Sequence, residues 1–250
     1  MPVTFIGAGP GAADLITVRG QRVLARAQVC LYAGSLVPAE LLESCRPGAE
    51  LVDTADLTLD EIVARMVDAH RAGHEVARLC SGDPSIYSAV AEQLRRLDEA
   101  NVPYEIVPGV PAFAAAAATL GRELTVPTVG QTVVLTRARA RSTVMPATED
   151  LAVLGASRAT LVLHLAVGRT RELADQLVPH YGADCPVAVV ARASRPDELV
   201  LRGTLADIAD QVEQAGVRRT AVIVVGRVLT AEGFPDSYLY SAGRDRSAKR

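Results

Sequence analysis

Five short apolar runs, at residues 3–6, 29–32, 51–52, 75–80 and 104–107, alternate with helical patterns over the first 120 residues of this 250-residue chain. Strands separated by helices rather than by tight turns pair in parallel, because a parallel pair needs a long crossover between its members. The spacing therefore predicts an α/β fold with a mostly parallel N-terminal sheet, and helices over 17–27, 58–72, 85–100 and 111–120. The second of these is the best marked. Thr58 and Glu61 stand in capping-box spacing, and Leu59, Ile62, Val63 and Met66 fall on one face.

In an open sheet of this kind ligands lie beyond the carboxyl ends of the strands, so the loops leaving the apolar runs are where chemistry is expected. They are Gly7-Ala8-Gly9-Pro10-Gly11, Ala33-Gly34-Ser35, Ser81-Gly82-Asp83-Pro84 and Pro108-Gly109-Val110. In the third, Gly82 lets the backbone approach a ligand, Pro84 stiffens the exit and Asp83 puts a carboxylate on the rim. The same tripeptide also reads as a plain tight turn capping a helix.

Past residue 120 the pattern changes. Residues 121–130, with Pro127 among them, read as a linker, and further strands are expected at 131–136, 160–164, 187–191, 199–201 and 221–225. Arg195-Pro196-Asp197-Glu198, between two of these, suggests a hairpin and hence a mixed C-terminal sheet. Thr204 with Asp207 predicts a cap for a helix reaching about residue 215. The expected organisation is an N-terminal α/β domain over 1–120, the linker, a C-terminal α/β domain over 131–236 and a tail from 237, with 244–250 a disordered basic end.

Composition excludes several classes. With 26 basic and 29 acidic side chains the net charge is −3, which does not favour nucleic-acid binding, and aromatics at 4% without Trp do not suit stacking on bases. The halves differ: 9 Lys/Arg against 15 Asp/Glu up to residue 120, then 17 against 14, so an anion-binding surface is expected in the second half. Cys30, Cys45, Cys80 and Cys185 form no Cys-x-x-Cys pair and read as reduced thiols of a cytoplasmic protein. No apolar run reaches membrane-spanning length and no secretory leader is evident, so no membrane partner is expected.

Gly7, Gly9 and Ala12 satisfy the loose dinucleotide fingerprint, but a proline sits inside the loop. Between Asp14 and Glu40 there is also no carboxylate to hold a ribose. His70 and His74 flank Gly73 with no obvious third ligand, so no metal is expected. His164 closes an apolar strand and reads either as a ligand-facing residue or as a satisfied core histidine. The run Arg137-Ala138-Arg139-Ala140-Arg141 suits a ligand bearing several carboxylates, since arginine binds each through two parallel hydrogen bonds; its other reading is a solvated loop.

Taken together, the glycine loop 7–11, Ser81-Gly82-Asp83-Pro84, Val107-Pro108-Gly109-Val110 and Ala221-Val222-Ile223-Val224-Val225-Gly226 resemble the tetrapyrrole (class III) S-adenosylmethionine-dependent methyltransferases of corrin and sirohaem biosynthesis. Tyr32 to Val37, residues 107–127, Thr136, Arg137, Arg141, Met145 and Pro146 are most like the corrin branch. The resemblance implies two α/β domains with the methyl donor, S-adenosyl-L-methionine, in a cleft between them, S-adenosyl-L-homocysteine as product, a tetrapyrrole substrate and a homodimer. Carried over by position, it assigns Pro10, Ser81, Gly82, Asp83, Ile86, Pro111, Ala112, Leu165, Ala193 and Ala221 to the donor. Ser35, Arg137 and Arg141 fall to the substrate, and Asp83, Tyr87 and His164 to proton removal or substrate orientation. At Ser81, Pro111 and Leu165 the family more often has Gly, Ser or Thr, and Met. Members acting on other carbons of the corrin framework or on sirohaem's precursor share these motifs. So do a diphthine-synthase-like enzyme acting on a protein side chain and a regulator that binds the donor without turnover.

Overall fold

The computed structural model describes residues 1–138, 145–238 and 244. It divides into two compact units, one of Met1–Ala115 with Ala193–Pro196, the other of Ala116–Arg192 with Asp197–Arg250.

In the first unit the chain runs β1 (Val3–Gly7), α1 (Val18–Leu24), β2 (Val29–Tyr32), α2 (Ala39–Leu42), β3 (Glu50–Asp53), α3 (Leu59–Arg71), β4 (Val76–Cys80), α4 (Val90–Glu99) and β5 (Tyr104–Val107). The strands form one parallel sheet in the order β3-β2-β4-β1-β5. Successive side chains point to opposite faces, and both faces are covered. Phe5 and Leu31 pack with Met66 of α3 and Leu97 of α4, while Ile6 and Leu79 pack with Leu24 of α1 and Leu41 of α2. All eight are fully buried. Each such side chain contributes about 1.5–3 kcal/mol relative to exposure. At the start of α3 the capping box forms as its spacing predicts: Thr58 N donates to Glu61 Oε2 at 2.7 Å, and Glu61 N to Thr58 Oγ1 at 3.3 Å.

The helix expected from residue 85 begins instead at Val90. Tyr87 and Ala89 hold left-handed backbone, with φ of 53° and 50°. Meanwhile Ser85 N donates to Asp83 Oδ1 at 2.8 Å and Ser88 Oγ to Asp83 O at 2.9 Å. These local side-chain bonds compete with helical ones and keep 85–89 as an irregular loop.

Helix α5 (Ala112–Leu120) begins in the first unit and ends in the second. There follow β6 (Val133–Arg137), α6 (Leu151–Gly155), β7 (Thr160–His164), α7 (Thr170–Tyr181), β8 (Pro186–Ala191), β9 (Leu199–Thr204), α8 (Ile208–Gln214) and β10 (Ala221–Val225). Their sheet has the order β6-β7-β10-β8-β9 and is mixed, with β6 and β7 parallel and the other pairs antiparallel. Leu161, Leu163, Val187, Val189 and Ile223 bury one face against Leu173 and Leu177 of α7 and Ile208 of α8. At the start of α8 Thr204 and Asp207 are bonded to each other, the Asp207 carboxylate accepting from Thr204 N at 2.6 Å and from Thr204 Oγ1 at 3.0 Å, and Asp207 stands just before the helix. Among the described residues no helix is long and apolar enough to cross a membrane, and no group of three His, Cys, Asp or Glu is placed to hold a metal ion.

Candidate functional site

Strands β4, β1 and β5 are neighbours, and the loops leaving their carboxyl ends touch backbone to backbone. Gly82 N donates to Gly9 O at 2.8 Å, Gly9 N to Gly82 O at 3.2 Å, and Ala8 N to Cys80 O at 2.8 Å. A methyl group on Gly7 would lie 2.4 Å from Gly109 Cα and 2.7 Å from Gly82 O; one on Gly109 would lie 2.2 Å from Gly82 O. Only glycine permits this approach. Gly82 is also left-handed, at φ 66°, and the place its Cβ would take lies 3.7 Å from Pro111 Cα and from Ala112 N.

Asp83 ties two of these loops. Its Oδ2 accepts from Gly109 N at 2.7 Å, and its Oδ1 accepts from the amide and the hydroxyl of Ser85. Partial burial disfavours the charge, but the bonds from Ser85 and Gly109 outweigh it and hold the carboxyl below the ordinary range. Both oxygens are thus occupied by loop donors at neutral pH. Ser81 and Ile86 beside it are half-buried, and Tyr87 is 45% exposed.

Residues 193–196, the turn between β8 and β9, complete the first unit's loop cluster. Ser194, at φ 65°, accepts from Ala12 N through Oγ at 2.9 Å. Arg195 Nη2 donates to Leu36 O at 3.1 Å. A Cβ on Gly11 would meet Arg195 Cγ at 2.5 Å and Ala193 O at 2.8 Å, next to the buried Pro10. The first unit therefore gathers Pro10, Ser81, Gly82, Asp83, Ile86, Pro111, Ala112 and Ala193 at the carboxyl edge of its sheet. None of the segments 7–18, 80–94 and 107–121 contains Lys or Arg. These three loops offer a ligand backbone groups rather than charge, while Arg195 of the 193–196 turn packs against the Gly11 loop.

In the second unit the remaining positions collect at one end of the mixed sheet. Arg137 and His164 are register partners at the ends of β6 and β7, and Ala221 pairs with Ala191 where β10 begins. Leu165 follows His164 with φ 52° and is 69% exposed; Arg192 and Thr220 are left-handed too, joined by Arg192 N donating to Thr220 O at 2.7 Å. Three non-glycine residues in this conformation at one sheet end mark stored strain of the kind found at ligand sites. Burial lowers the pKa of His164 and so favours its neutral form. The side chain of Ser35, whose backbone lies in the 3-10 turn Gly34–Leu36, and all of Arg141 are outside the described residues.

Three features escaped sequence reasoning: the contact made by Gly7 and Gly109, the bond from Ala12 to Ser194, and buried Arg78 in β4. Only the last left a signal, a lone cation inside an apolar run.

A family model for tetrapyrrole (corrin/porphyrin) methylases matches residues 2–209. The chain is 67% identical, over 99% of both proteins, to a precorrin-4 C(11)-methyltransferase of Rhodococcus erythropolis. Among solved structures it is similar to a cobalt precorrin-4 methyltransferase, with TM-score 0.89 and 41% identity over 91% of this chain and 95% of that one. It is also similar to a uroporphyrin-III C-methyltransferase of Thermus thermophilus complexed with S-adenosylhomocysteine, with TM-score 0.77 and 30% identity over 92% and 93%.

Proposed function

The chain belongs to the tetrapyrrole (corrin/porphyrin) methylases, and on that premise we propose that it transfers a methyl group from S-adenosyl-L-methionine to C11 of precorrin-4, giving precorrin-5 on the route to cobalamin. The observation that carries the reading is 67% identity, over 99% of both chains, with an enzyme of that name. A cobalt-bearing substrate is the second reading, favoured by the fold match at TM-score 0.89. Its lower identity, 41%, places it behind.

The residues present fit the donor. A sulfonium is cationic, and the loops after β1, β4 and β5 carry no basic side chain, while Pro111 and Ala112 are half-buried beside Gly82. The donor supplies an activated methyl. The C11–CH₃ bond forms as the CH₃–S bond breaks with its electron pair going to sulfur, S-adenosylhomocysteine departs, and the tetrapyrrole gives up one proton. What this chain does is hold and orient. Pro10, Ser81, Gly82, Asp83, Ile86, Pro111, Ala112 and Ala193 in the first unit, and Leu165 and Ala221 in the second, are assigned to the donor. Alignment of this kind supplies up to about 7–11 kcal/mol of a barrier. Charge vanishes from sulfur as the methyl moves, so exclusion of water favours the step.

Asp83, saturated by hydrogen bonds, fits a role in fixing the loops better than one in moving a proton. Neutral His164 retains the capacity to accept the proton or orient the ring, and Tyr87 is exposed enough to touch it. Ser35, Arg137 and Arg141 are assigned to the substrate, the arginines to its carboxylates. We place the enzyme in the cytoplasm as a homodimer; all four cysteines are free thiols.

The test is incubation with precorrin-4 and methyl-labelled donor, followed by carbon NMR. Label on the C11 quaternary carbon upholds the reading, and transfer only to the cobalt-bearing substrate selects the second one. Donor binding without transfer to either overturns both. Arg137→Ala is expected to raise the tetrapyrrole KM about tenfold, the loss of one charged hydrogen-bonding group, with donor affinity unchanged. Equal weakening of both would make Arg137 structural.

A further inference from the structure

Arg78 is a charged residue inside the central strand of the parallel sheet, between Phe5 of β1 and Leu31 of β2 in register, and only 7% exposed. Its hydrogen-bond partners are neutral and themselves buried. Nε donates to Gln93 Oε1 at 3.2 Å and Nη1 to Thr54 Oγ1 at 3.1 Å. Among the described residues it has no carboxylate partner. Desolvation lowers its pKa, yet a guanidinium stays protonated in proteins. A buried charge on neutral acceptors is costly for stability, and an apolar side chain of similar length would avoid the cost.

Each partner passes the contact on to a loop. Gln93 Nε2 donates to Ala89 O at 2.8 Å, the carbonyl of the left-handed residue that closes the 85–89 segment. Thr54 Oγ1 and N both donate to Tyr32 O at 2.9 Å, where β2 runs into the turn Gly34–Leu36. The glycine contacts among residues 7, 82 and 109 need neither relay, since they are backbone on backbone.

We propose that Arg78 is a positioning residue that holds the 85–89 loop and the end of β2 in register through Gln93 and Thr54, setting the surface the tetrapyrrole meets without touching either reactant. Its kinetic consequence rests on the methyl-transfer reading above; its structural consequence does not. The loop after β4 carries Ile86 and Tyr87 on this support, whereas the backbone contacts among Gly7, Gly82 and Gly109 are built separately. Cutting the relay accordingly weakens substrate recognition more than donor recognition, because Ile86 alone of the residues assigned to the donor lies in this loop.

Two variants in the full chain test this. Arg78→Met removes the charge and both donors. Gln93→Glu keeps an acceptor for Arg78 and gives it a carboxylate, but loses the N–H that reaches Ala89 O. In both, amide hydrogen exchange at 85–89 is expected to rise about tenfold, a local opening, while the amides of 7–9, 11 and 109–110 are unchanged. Thermal midpoints are expected to hold or rise. The tetrapyrrole KM should increase about tenfold in each, with S-adenosylhomocysteine affinity by calorimetry falling by clearly less than that. Unchanged exchange at 85–89 in Gln93→Glu overturns the proposal, as does an equal rise at 7–9 and 11 or a parallel fall in donor affinity. Should Arg78→Met fail to fold, Gln93→Glu still decides. If the unaltered protein methylates neither form of precorrin-4, the functional reading fails and the exchange measurement alone judges Arg78.

Discussion

The first unit builds its carboxyl edge from residues that lack a side chain, and the second builds the corresponding end of its sheet from residues that keep theirs in an unfavourable backbone. At Gly7, Gly82 and Gly109 the constraint is space, since the next backbone stands where a Cβ would be. At Leu165, Arg192 and Thr220 the constraint is conformation alone, and Leu165 has open solvent beside it. The first arrangement is intolerant and rigid. The second is tolerant and spends strain to place a chosen side chain.

The largest effect should come from Gly109→Ala, whose methyl would lie 2.2 Å from Gly82 O. A loss of about 3 kcal/mol is expected from urea unfolding, at the upper end of overpacking costs. An unchanged midpoint would erase the distinction between the two edges. Asp83→Asn comes next, because an amide cannot accept from Gly109 N and from Ser85 on both sides at once. Its cost is expected at about 1–3 kcal/mol, that of leaving a donor unpaired. This variant also carries a pH signature. The folded carboxyl is held below its unfolded value, so its contribution is full above about pH 4 and is lost as pH falls through the folded value. Acid titration of wild type should therefore show a slope that Asp83→Asn lacks.

Smaller and opposite in sign is Leu165→Gly, which relieves a left-handed leucine. It should stabilise by up to about 1 kcal/mol, less whatever the freer unfolded chain takes back. Donor affinity, read by calorimetry, should fall at the same time, which is the sense in which strain is put to use at this edge. The smallest effect concerns His164. Burial lowers its folded pKa, so the unfolded chain takes the proton first. Stability is full above about pH 6.5 and declines as pH drops toward the folded value. His164→Gln should remove that segment of the curve, and ring NMR should show the neutral form persisting below pH 6.5.

The parallel half of the fold was legible because its inner strands β1, β2 and β4 are buried on both faces and so read as continuous apolar runs between helices. The capping box of α3 was legible for a local reason, two residues bonding reciprocally within one turn. Helices α6 and α7 were not placed from the sequence. The first is five residues long, and Pro179 interrupts the last turn of the second. The segment 85–89 misled because serine, isoleucine and alanine fit a helical pattern, while what decides its shape is the carboxylate of Asp83 drawing Ser85 to itself. At the candidate site the loops could be found, but not the reason for Gly109, whose constraint comes from residues 102 and 27 positions away in the chain.

The four residues 193–196 bear on how the chain is made. The first unit is otherwise finished at Ala115, yet Ala12 N and Leu36 O find Ser194 and Arg195 only after about eighty more residues have been synthesised. At ribosomal speed that is a delay of about 4–16 s. During it Ala12 N and Leu36 O of the nascent first unit bond to water, although the contacts among Gly7, Gly82 and Gly109 can already form. A fragment ending near residue 115 would remain in that state, which makes the late turn a checkpoint on assembly as much as a part of the site.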